Sequence, residues 1–117
     1  MAHTANAGWV LPAELHHLAQ SGGEKVIEEL IELFKQDVGE RLHVLRKAVE
    51  SGDLVTAASQ AHSIKGSALQ MGAVNLVTTC KHVELDAAHH VSENLERLVL
   101  EAEAELRVLA SSMRLTQ

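Results

Sequence analysis

The chain has 117 residues, 46% of them hydrophobic, with ten basic and sixteen acidic side chains and a formal net charge of −6. That length supports a single domain with its own core. With only Trp9 and Phe34 as aromatics and an acidic balance, the chain lacks the stacking rings and positive groove of a single-stranded nucleic-acid binder. No apolar run reaches the roughly eighteen residues of a membrane span. The start, MAHTANAG, has neither a basic region nor an apolar stretch, so no signal peptide is expected and a cytoplasmic location follows. The single cysteine, Cys80, forbids an internal disulfide and fits a reducing compartment. Eight histidines are the surplus in this composition.

Residues 1–8 are small and polar and read as a disordered tail, leaving 9–117 as one domain. Leu11-Pro12 opens a short helix, because proline suits a first turn. It carries Leu11, Leu15 and Leu18 and stops at Ser21-Gly22-Gly23. A long helical pattern follows from Glu24 to about Ser51, with Ile27, Leu30, Phe34, Val38, Leu45 and Val49 on one stripe and Leu42 slightly off it. Gly39 interrupts that pattern as a candidate bend. Asp53 is placed to cap a third helix, Leu54 to Met71, whose inward stripe is Leu54, Ala57, Ala61, Ile64, Ala68 and Met71. Gly72 sits where a terminating glycine belongs.

A fourth segment, about Val74 to His89, repeats Leu76, Cys80, Val83 and Ala87. Ser92 is expected to cap a fifth, with Leu95, Leu98, Val99, Ala102, Leu106, Leu109 and Met113 inward. The short connections favour antiparallel neighbours. No period-two segment competes. The expected fold is all-α: an antiparallel up-and-down four-helix bundle with an additional short N-terminal helix.

On a wheel of about 100° per residue, His62 lies roughly 130° from the centre of the third helix's core stripe, so it faces solvent. Ser59 precedes it by one turn and Gly66 follows by one turn. Val55 and Leu69 flank it with apolar side chains the bundle does not need, and Lys65 is close enough to share a ligand with it. A mid-helix glycine costs about 1 kcal/mol against alanine. Its absent side chain clears the approach to the imidazole, and the apolar neighbours read as the rim of a docking surface.

His62-Ser63-Ile64-Lys65-Gly66-Ser67-Ala68, followed by Gly72-Ala73 and Leu76, resembles the signature of histidine-containing phosphotransfer (HPt) domains. The likeness extends to helix lengths, helix order and total size. It implies a two-component phosphorelay carrier, with His62 as phosphoacceptor, Lys65 stabilising the phosphoryl group and Gly66 permitting close approach of a partner over Val55, Ser59 and Leu69. It also implies response-regulator receiver domains as donor and acceptor, one of them in a hybrid sensor kinase. Ser67 shares the motif but points about 140° away from His62 on the wheel, and backbone or packing duty accounts for it equally well.

The chemistry of the residues agrees. A neutral imidazole nitrogen can attack phosphorus without a dedicated base, and a nearby lysine offsets the resulting negative charge. The acid nearest His62 in sequence is Asp53, nine residues back, and no nucleotide-binding loop is present. The chain is therefore expected to be a phosphocarrier and not an enzyme, with no cofactor of its own and with Mg²⁺ supplied by the receiver domain. It is expected to be monomeric, with no nucleic-acid or membrane partner.

Two other readings compete. In one, the bundle binds a partner helix through Val55 and Leu69 and His62 is incidental. In the other, His82, Asp86 and His89, at i, i+4 and i+7 with His90 beside them, hold a metal; the expected outcome there is no metal site, because that face is opposite the core stripe and solvated. Cys80 is expected to be an inert core side chain.

Overall fold

A computed structural model describes residues 9–114, and every regular element among them is helical. The elements are α1 (Ala13–Leu18), α2 (Glu24–Ser51), α3 (Leu54–Met71), α4 (Val74–Ala88) and α5 (Leu95–Ser112). Helices α2 to α5 form an antiparallel cycle in which each packs on its two neighbours. The expected bundle with a short N-terminal helix is what the chain forms. The expected tail over residues 1–8 lies outside the described residues.

The sequence places the helix ends by ordinary capping. The Asp53 carboxylate accepts from the Thr56 amide at 3.1 Å and starts α3. Gly52 (φ +76°) and Gly72 (φ +71°) end α2 and α3 in the left-handed conformation. At Gly72 the amide of Ala73 returns to the Ala68 carbonyl at 2.9 Å, so only two residues separate α3 from α4. That tight turn fixes the register of the α3–α4 pair, which makes the most extensive contact in the bundle.

α2 runs about 42 Å at the usual helical rise, nearly the full 46 Å length of the molecule. It passes through Gly39 without interruption. Its buried stripe is Ile27, Ile31, Phe34, Val38, Leu42, Leu45 and Ala48, which corrects the expected one at three places, the last being Ala48 buried where Val49 is only partly so. Leu42 is fully in the core, and Leu30 is 38% exposed while its neighbour Ile31 is buried. Either residue gives spacings of three and four, but on a wheel of about 100° per residue Ile31 lies nearer than Leu30 to the centre of the stripe formed by Ile27, Phe34, Val38 and Leu45. Leu18 is likewise outward, whereas Leu11 and Leu15 pack against the core.

Two ends differ from expectation by a residue or more. α4 stops at Ala88, and α5 begins after Asn94, not at Ser92. The six residues between them turn through His90 (φ +59°) and are tied back by the Val91 amide on the Asp86 carbonyl at 2.8 Å.

Trp9 is buried at the base of the bundle and its indole N–H donates to the Met71 carbonyl at 2.7 Å. That carbonyl lies in the last turn of α3, where helix acceptors lack intrahelical donors. Pro12 lies against Gly72 from the same side. The segment before α1 therefore closes the end of the helix that carries His62.

Candidate functional site

His62 stands on the outer face of α3 with its side chain 69% exposed. Val55 and Leu69 are 81% and 62% exposed, and Ser59 is exposed between them. His62 and the three predicted rim positions therefore line the outward face of one helix. Lys65 is the only Lys, Arg, Asp or Glu in α3, so the face is nearly uncharged in a chain with 22% charged residues. A methyl placed on Gly66 would meet nothing within 4 Å. No neighbour inside the protein needs this glycine, so the space above it is available to something outside. Ser67 is half-buried and lies off this face.

The structure adds a residue that sequence reasoning missed. Glu84 of α4 reaches across to α3, with Oε2 2.8 Å from His62 Nδ1 and Oε1 accepting from Lys65 Nζ at 2.7 Å. Along the chain the nearest acid is Asp53, but the carboxylate that contacts the ring is Glu84, 22 residues away. A signal existed: His62 is eleven residues before Ala73 and Glu84 is eleven after it. Equal distances from a tight turn bring two residues of an antiparallel pair side by side.

The charge states follow from the geometry. The Lys65 ammonium donating to Glu84 holds its carboxyl below the ordinary carboxylate range; partial burial opposes this and the His62 contact adds to it. Glu84 is thus an anion at neutral pH and can only accept hydrogen bonds. His62 Nδ1 must then donate to it, which leaves the lone pair on Nε2. Ion pairs this close to water are worth at most about 1 kcal/mol. Their effect here is to orient a ring and choose its tautomer.

Elsewhere the histidines are not gathered. Among the described residues no group of three His, Cys, Asp or Glu side chains is close enough to hold a metal ion, the His82–Asp86–His89 face included. His89 Nδ1 instead contacts the Leu85 carbonyl of its own helix end at 2.9 Å. Cys80 is fully buried, and burial, reinforced by the charges of Glu105 and Glu84, pushes its thiol up to about 12. No helix among the described residues is long and apolar enough to cross a membrane.

Comparison with known proteins supplies the family. The family model of the Hpt domain matches residues 29–112. The chain belongs to the Hpt domain family. The crystal structure of histidine-containing phosphotransfer protein B (HptB) from Pseudomonas aeruginosa PAO1 is similar to this Hpt domain with a TM-score of 0.77 and 30% sequence identity. The match covers 86% of this chain and 88% of that one. No curated protein matches in sequence. The bundle, its helix order and phosphorelay signalling as the setting of the chain are thereby established, while the roles of individual residues rest on the geometry above.

Proposed function

We propose that this Hpt domain carries a phosphoryl group on Nε2 of His62, between one response-regulator receiver domain and another. The observation that carries the reading is an exposed imidazole with its Nδ1 occupied by Glu84 and its Nε2 without a partner among the described residues. The open surface over Gly66 and the uncharged rim of Val55, Ser59 and Leu69 support it, since a receiver must come close to reach the ring. In the forward step the Nε2 lone pair forms a bond to phosphorus as the O–P bond of a receiver's aspartyl phosphate breaks. The aspartate leaves as a carboxylate. Lys65, one turn from His62, is placed to offset the charge of the bound phosphoryl group.

Mg²⁺ and the remaining catalytic groups belong to the receiver in this reading, because phosphoryl transfer requires charge neutralisation that one lysine does not supply. The domain acts as a monomeric carrier, charged from a hybrid sensor kinase and discharged to a separate response regulator. The test is incubation with phosphorylated receiver domains, followed by measurement of acid-labile, alkali-stable label. Wild type takes such label and His62→Gln does not. Label of that kind on His62→Gln, or none on wild type from a panel of cognate receivers, refutes the reading.

A further inference from the structure

Glu84 is placed to do more than select a tautomer. In accepting a phosphoryl group, neutral His62 keeps its Nδ1 proton and becomes a phosphoimidazolium, its ring carrying a positive charge. In donating, the Nε2–P bond breaks and its electron pair returns to Nε2. The leaving group is neutral imidazole if the proton is still on Nδ1, and the far poorer imidazolate if it has gone. The proton on Nδ1 therefore decides whether the phosphorylated histidine can pass its cargo on. In this chain that proton faces a carboxylate oxygen at 2.8 Å.

Resting on the carrier reading, we infer that Glu84 is a positioning residue that retains the Nδ1 proton of phosphorylated His62, holding the ring in its transfer-active form. The charged and titratable groups facing Glu84 are His62 and Lys65 from α3, and the buried Cys80 thiol lies one helical turn back on α4. Lys65 plays a second part, because its bond to Oε1 keeps the carboxylate from taking the proton itself. Glu84→Gln removes the negative charge and keeps one acceptor oxygen, which the rotated amide turns to Nδ1 while the Lys65 ammonium turns to solvent. An opposite charge within hydrogen-bond reach moves a titration by about one pH unit or more. The pH at which onward transfer falls off should accordingly drop by about one unit in the variant, with a rate about tenfold lower above both fall-offs and equal rates below them.

The experiment loads both proteins with phosphoramidate, a small donor that needs no receiver, and follows transfer to a receiver domain across pH. Ring ¹⁵N spectra of the unphosphorylated proteins are recorded alongside. The expected result is an Nδ1–H tautomer in both proteins and a transfer profile displaced to lower pH only in Glu84→Gln. Superimposable profiles overturn the inference and leave the carrier reading intact. Failure of the variant alone to load also overturns it, because a neutral acceptor at Nδ1 leaves Nε2 free for the forward step. Absence of phosphoryl on His62 in both proteins removes the carrier reading and this inference together.

Discussion

Replacing Gly66 should separate folding from function in opposite directions. The residue lies inside α3, four positions after His62, and a Cβ there meets no atom within 4 Å. Nothing therefore opposes the ordinary helix preference for a side chain. Gly66→Ala should stabilise the fold by about 1 kcal/mol. For a chain of this length, with an unfolding entropy of about 2 cal/mol/K per residue, that is an increase of about 4 °C in Tm. Gly66→Leu should retain most of the gain, since leucine is nearly as good a helix former. Its side chain, however, would fill the space through which a receiver reaches the imidazole, and transfer to His62 should fall by at least tenfold. Thermal melts followed by circular dichroism give the first quantity, and the rate of label appearing on His62 from a phosphorylated receiver gives the second. Wild-type transfer by Gly66→Leu would refute the access argument. Destabilisation by Gly66→Ala would refute the premise that the surrounding space is open.

Further expectations concern other parts of the bundle. Lys65→Ala should lower the rate of transfer or the lifetime of the phosphorylated form more than the affinity for the receiver, because its contribution is electrostatic; equal losses in a transfer assay and a binding titration would count against that role. Trp9→Phe keeps most of the buried ring but orphans the Met71 carbonyl, so it should cost about 1–2 kcal/mol in urea unfolding followed by circular dichroism; an unchanged midpoint would show that another donor replaces the indole. Glu105 has one carboxylate oxygen bonded to Thr79 and the other buried without a partner. Burial pushes its titration above the ordinary carboxylate range, so the ionised form costs stability once the pH rises past the unfolded value. Glu105→Gln should then stabilise the protein at pH 7 by up to about 1 kcal/mol and have no effect near pH 4, where the acid is already neutral; equal effects at both pH values in denaturant titrations would exclude this cause.

The residues that were legible in sequence share one property: their surroundings lie within the same helix. His62, Lys65, Gly66, Val55, Ser59 and Leu69 are all on α3, where a helical wheel is enough to separate the outward face from the core. The bounds of α2 and α3 were likewise readable, because Ser51-Gly52-Asp53 and Gly72 carry their capping chemistry locally. Glu84 was missed because its role depends on a neighbouring helix, and a wheel of α4 alone shows only a boundary position. Trp9 was missed for a related reason, since its partner is a backbone carbonyl 62 residues away. The exchange of Leu30 for Ile31 shows a third limit. Both residues are apolar and adjacent, and only the accumulated turn of a long helix decides which one is inward.

The placement of Trp9 has a practical consequence for observing this molecule. The chain has no tyrosine and no second tryptophan, so its near-ultraviolet emission comes from a single ring in contact with the last turn of α3. His62 lies nine residues up the same helix, about 14 Å away along its axis. Emission from that ring reports whether the base of α3 is closed. A receiver that lacks tryptophan can then be titrated onto the outer face of α3 and the closure of its base read optically in the same cuvette, without attaching a dye.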